Sequence, residues 1–129
     1  MLILDADDRV LLARRGREPG IEGWDTPGGF VDEAGPEDAV HREIGEETGI
    51  EVRLEAFLGH VVDSYGPDGD ETLNCVYVAR HVAGRPEAAD DVSELRWFRL
   101  DELPPSSELP FSNTTAAINR LREHLGRAG

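Results

Sequence analysis

The sequence predicts an α/β fold. Two stretches have helical spacing, one central and one C-terminal. Short apolar runs of strand character surround the first, and turns rich in Asp, Gly and Pro separate them. Leu2-Ile3-Leu4 and Val10-Leu11-Leu12-Ala13, joined by Asp5-Ala6-Asp7-Asp8, read as a hairpin with an acidic turn. Residues 16–29 read as a Gly/Pro-rich loop holding Trp24. A helix is expected over about 36–48, because Pro36 suits a first helical position and Gly49 a left-handed C-terminal cap. Strands follow near 51–63 and 72–82, with Tyr65-Gly66-Pro67-Asp68-Gly69-Asp70-Glu71 as the turn between them. Val76 and Val78, flanked by Cys75 and Tyr77, suit a pleated, half-buried surface. Glu94–Phe98 reads as a further strand, and Leu100–Pro105 as a short helical turn stopped by prolines. The last helix is expected over about 113–125, with Ala117, Ile118, Leu121 and Leu125 on one face. No repeat or linker divides the chain, so residues 1–129 are read as one domain.

Charge narrows the function. The chain carries 27 acidic and 13 basic residues for a net charge of −14, and every basic residue is Arg. Such a surface repels phosphate backbones, which argues against a nucleic-acid polymer as partner. An anionic small substrate needs a cation or local arginines to offset the field. No apolar run is long enough to span a bilayer, and no signal peptide is evident, so no membrane partner is expected. The single cysteine, Cys75, excludes an internal disulfide and fits a reducing cytoplasm. His41, His60, His81 and His124 show no paired ligand spacing, and neither a Walker-type loop nor a zinc pattern is present.

The central helix carries the chemical signal. At about 100° per residue, Glu43, Glu46 and Glu47 fall within roughly a quarter of its circumference, beside the apolar stripe marked by Val40 and Ile44. Carboxylates at i, i+3 and i+4 repel one another, and a divalent cation bound by oxygen ligands is the natural counter-charge. A plain solvated acidic face is the competing reading, and what precedes the helix disfavours it. Trp24-Asp25-Thr26-Pro27-Gly28-Gly29-Phe30-Val31-Asp32 is a glycine loop that leads into the helix.

Residues 42–50, Arg-Glu-Ile-Gly-Glu-Glu-Thr-Gly-Ile, resemble the second half of the signature box of the Nudix hydrolase family at every specified position. The preceding Trp-x-x-Pro-Gly-Gly is similar as well. The first half departs from the family. Counted back from Arg42, the box glycine is Gly28 and its first glutamate falls on Ala34. Anchored on Gly29, that position is Gly35 and the following stretch is one residue short. Glu33 and Glu37 are the nearby acids that would replace it.

The resemblance extends over nearly the whole chain. It implies an α/β/α sandwich in which a mixed, partly closed β-sheet lies between two helices. It implies a hydrolase that cleaves a diphosphate linkage with Mg²⁺ or Mn²⁺, acting on a nucleotide-type small molecule. Glu46 and Glu47 become metal ligands, Glu43 a ligand or the base, and Arg42 the residue that orients a box glutamate. Glu94, three residues before Trp97, is where many members carry an acid that joins the metal shell. Arg14 and Arg15, ending a strand beside the loop, and Gly28, Gly29 and Phe30 within it, become substrate contacts. Trp24, Phe30 and Tyr65 are the aromatics that would stack on a base or anchor the loop.

Downstream of the box, Tyr65 and Pro67 stand close together, a sign shared between two substrate subfamilies. The Ser-Gln-Pro-Trp-Pro motif of NADH pyrophosphatases is missing after Ile50. The expectation is therefore an ADP-ribose-like or other nucleoside diphosphate-linked substrate in preference to a nucleoside triphosphate. The alternative is a nucleotide-binding module of the same fold that does not hydrolyse. The resemblance also admits a homodimer.

Overall fold

Strands β1 (Leu2–Leu4) and β2 (Val10–Arg15) form the expected N-terminal hairpin. A computed structural model describes residues 1–16, 21–27, 42, 44–46, 48–65, 70–89, 92–109 and 112–128. Leu2, Ile3, Leu4, Val10, Leu11 and Leu12 are all buried, so consecutive residues of both strands are covered on both faces. That explains why the two runs are apolar throughout and do not alternate.

The acidic turn is held by Asp5. Its Oδ1 accepts from the backbone N–H of Asp7 and of Arg9, each at 2.9 Å, and its Oδ2 accepts from Arg9 Nε at 2.7 Å. Burial opposes ionisation of this carboxyl, but the hydrogen bonds from Arg9 and Asp7 outweigh it and hold its pKa below the usual value. Asp8 takes up a left-handed backbone (φ 59°), which an aspartate tolerates better than most residues. It accepts from Arg80 Nη1 at 2.8 Å.

A two-residue strand, β3 (Trp24–Asp25), follows inside the segment that reads as loop. It pairs antiparallel with β2 through Ala13↔Asp25 and Arg14↔Trp24. The described residues of 42–48 are helical and form α1; Gly49 ends it at φ 72°, as a left-handed cap requires. Thr48, fully buried, donates its hydroxyl to the Ile44 carbonyl at 2.5 Å. The rest of the helix expected over 36–48 lies outside the described residues.

Strands β4 (Glu51–Tyr65) and β5 (Asp70–Ala83) are longer than the expected runs and pair antiparallel along their length. β6 (Val92–Phe98) pairs antiparallel with β2. The helical turn expected at Leu100–Pro105 falls later. Residues 99–102 close a plain turn, and a 3-10 turn forms at Ser106–Glu108, after the prolines. Neither Pro104 nor Pro105 can donate a backbone N–H, so the helical hydrogen bond starts beyond them. Helix α2 (Ser112–Ala128) closes the fold.

The sheet order is β3-β2-β1-β5-β4, with β6 on β2. It is mixed, because β1 runs parallel to β5 while its other pairings are antiparallel. Among the described residues its ends do not meet. The sheet is open, in place of the partly closed sheet that the resemblance implied, and a two-residue end strand offers too few backbone groups to close it.

The two sheet faces bury separate clusters. Leu2, Leu4, Val10, Leu12, Trp24, Val76 and Val78 pack on Ala117, Ile118 and Leu121 of α2. Ile3, Leu11, Val52 and Ala79 pack with Ile44 of α1, and Leu95 and Trp97 join this second cluster. The sheet therefore lies between the two helices, as expected.

Candidate active site

Two groups of predicted residues can be followed in space. On α1, Arg42 and Glu46 lie one turn apart, and Arg42 Nε stands 3.9 Å from Glu46 Oε1 with both side chains well exposed. So long and wet a contact is weak, worth well under ~1 kcal/mol. It leaves the Glu46 carboxylate able to accept a cation. Exposed carboxylate oxygen is the donor that Mg²⁺ or Mn²⁺ takes, so the described part of the site fits such an ion. Ile44, on the buried side of α1, fixes the helix to the sheet and so turns Glu46 outward. Glu43, Glu47, Gly28, Gly29 and Phe30 lie outside the described residues. Among the described residues no three His, Cys, Asp or Glu side chains converge.

The second group is built on β2, β3 and β6. Arg14 and Glu94 are direct cross-strand partners, with Arg14 Nη1 3.6 Å from Glu94 Oε1. Arg96, two residues along β6 and so on the same face, donates from Nη2 to Glu94 Oε2 at 2.5 Å. Below them lies Trp24, buried and edge-on to Phe98 with ring centroids 5.1 Å apart. The Arg96 guanidinium carbon stands 5.3 Å from the Trp24 centroid and that of Arg14 5.8 Å, within cation–π range. Arg14 Nε also donates to the Glu22 carbonyl at 3.1 Å.

Trp24 is thus a loop anchor. Since Trp24 belongs to the α2-side cluster and Ile44 to the other, Glu94 lies on the sheet face away from α1. The structure brings Glu94 to Arg14 and Arg96, not to Glu46. Arg15 follows a register shift at the end of β2, opposite Val92, so it does not share the position of Arg14. Tyr65 is the last residue of β4.

Sequence reasoning missed Arg96 and the link between Asp25 and Thr114, whose hydroxyl donates to Asp25 Oδ1. For Arg96 a signal existed. Glu94 and Arg96 stand at i, i+2 in a predicted strand, a spacing that places both on one face. The Asp25–Thr114 contact spans 89 residues and has no local signature.

A family model for the NUDIX domain matches residues 1–118, and the chain belongs to the Nudix family. It is 37% identical over 107 residues to an ADP-ribose pyrophosphatase of Methanocaldococcus jannaschii, covering 79% of this chain and 61% of that protein. It is 36% identical over 110 residues to the NAD-capped RNA hydrolase NudC of Pseudomonas aeruginosa, covering 81% of this chain and 37% of that one. The chain therefore spans under two thirds of the length of these two curated relatives. A solved MutT NUDIX hydrolase from Burkholderia pseudomallei superposes with a TM-score of 0.77 at 35% identity, covering 92% of this chain and 94% of the other. Among the described residues no helix is long and apolar enough to cross a membrane.

Proposed function

We propose that this chain is a metal-dependent hydrolase that cleaves the diphosphate linkage of a nucleoside diphosphate-linked small molecule of the ADP-ribose type. The observation that carries the reading is the exposed Glu46 carboxylate on a helix whose sequence, Arg42 to Ile50, matches the catalytic half of the Nudix box. The 37% identity to a protein named ADP-ribose pyrophosphatase supports the substrate class, as does the missing NADH-type motif after Ile50.

Glu43, Glu46 and Glu47 would hold Mg²⁺ or Mn²⁺. When bound, the ion neutralises the diphosphate and lowers the pKa of its water, which is what attack on an already anionic phosphorus demands. Glu43 serves as a ligand or takes a proton from the attacking water. Arg42 is read as the residue that orients a box glutamate; its long, exposed contact with Glu46 is by itself an ordinary i,i+4 surface pair. Arg15 at the end of β2, with Gly28, Gly29 and Phe30 of the loop, contacts the substrate, whereas Arg14 stands with Glu94 on the sheet face away from α1. A net charge of −14 disfavours a nucleic-acid polymer as partner. With one cysteine, the chain suits a reducing cytoplasm.

The test is a panel of diphosphate compounds with Mg²⁺ or Mn²⁺, followed by phosphate-containing product release, in wild type and in Glu47→Gln. Hydrolysis of ADP-ribose, cut at least about tenfold by Glu47→Gln while the fold survives, is the expected result. A wild type that binds ADP-ribose tightly but cleaves no compound with either ion would replace the hydrolase with a binding module.

A further inference from the structure

We propose that residues 84–87, which follow β5, clasp the C-terminal end of α1 and hold its last turn where Glu46 can bind the divalent ion, with Gly84 and His81 as the positioning residues. The inference rests on the reading that Glu46 and Glu47 are ligands of that ion.

The need for a clasp follows from where those carboxylates stand. α1 ends at Gly49, so Glu46 belongs to its last turn, and so by sequence does Glu47. At that end the backbone carbonyls lack intrahelical partners and carry partial negative charge. Neighbouring carboxylates there are repelled by the helix end and by each other until a cation binds. Such a turn frays unless something outside the helix holds it.

Bonds within α1 secure part of the turn. The Gly49 N–H donates to the Gly45 carbonyl at 3.0 Å, and the buried Thr48 hydroxyl donates to the Ile44 carbonyl at 2.5 Å. The Thr48 carbonyl takes its donor from a distant segment: the backbone N–H of Glu87, at 2.9 Å.

The path from Glu87 back to the sheet is tightly fitted. Gly84, at φ 92°, lies directly against the chain leaving α1. A Cβ there would stand 3.0 Å from the Gly49 carbonyl oxygen and 3.2 Å from Ile50 Cα. Both are backbone atoms, so no side chain can swing aside, and the positive φ separately favours glycine. The Gly84 carbonyl accepts from His81 Nε2 at 2.7 Å. The His81 ring in turn lies 5.7 Å from that of Trp97 by centroids, and Trp97 joins the cluster that anchors Ile44 of α1. Helix and clasp are thus tied to one part of the core. The fit matters because the ion is demanding. Mg²⁺ holds its oxygen ligands at about 2.0–2.1 Å, and a working site keeps such distances within about 0.2 Å. The displacement that a Cβ at Gly84 forces on the end of α1 is of that size.

Calorimetric titration with Mn²⁺, and amide hydrogen exchange without added ion, read the clasp independently. Gly84→Ala should weaken Mn²⁺ at least about fivefold and speed exchange of the Gly49 amide at least about tenfold. His81→Phe keeps a ring on Trp97 but loses the hydrogen bond, and should weaken Mn²⁺ about threefold; His81→Gln keeps a donor and should bind within about twofold of wild type. Gly59→Ala is the control, since it strains β4 against Arg120 of α2 and should leave Mn²⁺ affinity within about twofold of wild type. A merely structural role for Gly84 predicts that both glycine variants lower Tm and bind Mn²⁺ alike.

Mn²⁺ affinities in Gly84→Ala and His81→Phe equal to that of Gly59→Ala would overturn the proposal, as would His81→Gln binding no better than His81→Phe. If Gly84→Ala does not fold, the two His81 variants decide alone. Glu46→Gln/Glu47→Gln separates this failure from that of the ion's site. If that variant loses Mn²⁺ while Gly84→Ala and His81→Phe bind like wild type, the clasp fails and the site stands. If it binds Mn²⁺ like wild type, the site lies elsewhere and the clasp is overturned with it.

Discussion

Replacing Asp5 with Ala should remove a disproportionate share of the stability of this fold. Asp5 is 8% exposed, and its carboxylate accepts three hydrogen bonds, from two backbone N–H groups at 2.9 Å and from the Arg9 guanidinium at 2.7 Å. Hydrogen bonds to a charged group contribute ~1.5–3 kcal/mol each when buried. Arg9 is partly exposed and the turn borders solvent, so water replaces part of what is lost, and about 2–3 kcal/mol is the reasonable sum. At roughly 2.1 cal/mol/K of unfolding entropy per residue, 129 residues shift about 4 °C per kcal/mol, which makes the expected fall in Tm about 8–12 °C.

The pH dependence has a definite sign. The Asp5 pKa is lowered in the folded protein from an ordinary 3.8. Its stabilisation is therefore complete above that ordinary value and is lost as pH falls through the lower folded one. Urea unfolding of wild type and Asp5→Ala should give a gap in unfolding free energy that is constant from pH 7 to about pH 5 and narrows below ordinary carboxylate pKa values. A fall in Tm under about 3 °C, or a gap that widens in acid, would refute the argument, because either means the carboxylate does not hold the turn.

Three further outcomes follow from other contacts. Gly59 sits at φ 95°, and a Cβ there would meet Arg120 Nη1 at 2.7 Å, so Gly59→Ala should destabilise by about 1–3 kcal/mol. In an Arg120→Ala background the steric part disappears, and a double-mutant cycle in urea should show the penalty shrinking. Thr114→Val should destabilise by about 1–2 kcal/mol, because it leaves the Asp25 carboxylate without its hydroxyl donor, whereas Thr114→Ser should retain most of the stability in the same melting assay. Mg²⁺ or Mn²⁺ at ~100 times its Kd should stabilise the wild type by about 2.7 kcal/mol, read as a rise in Tm. The Glu46→Gln/Glu47→Gln variant should show no such rise, and an equal rise in both proteins would remove these carboxylates from the ion's site.

The parts of the fold that the sequence reveals are those where side-chain chemistry and backbone geometry agree. β1 and β2 read clearly because burial on both faces demands unbroken apolar runs, and the left-handed cap at Gly49 reads clearly because few residues other than glycine adopt it. β3 does not read, since two residues have no period and its pairing is set by β2 across the loop. β4 and β5 run past their apolar stretches into Ser64-Tyr65 and Asp70-Glu71, where backbone hydrogen bonds continue without side-chain pattern. In the candidate site the spacing of Glu46 from Arg42 was legible because a helix makes it so. The partners of Glu94 were not. A charged residue in a strand reads as a solvent face until its neighbours across the sheet are known.

Those neighbours decide what an arginine in so acidic a chain can do. Arg80 and Arg14 have the same side chain and both end up beside carboxylates. Arg80 donates to the Asp5 carbonyl, to Asp8 and to both Glu55 oxygens, and its pKa is raised, first by the hydrogen bond to Asp8. With its charge matched and its donors engaged, it ties β5 to the first hairpin and to β4. Arg14 has one carboxylate at 3.6 Å, held more tightly by a second arginine. Its charge is only loosely matched, while its position is fixed by Trp24 and the Glu22 carbonyl. The first arrangement, with a partner on each guanidinium nitrogen, is a structural tie; the second leaves an ion pair too long for a good hydrogen bond.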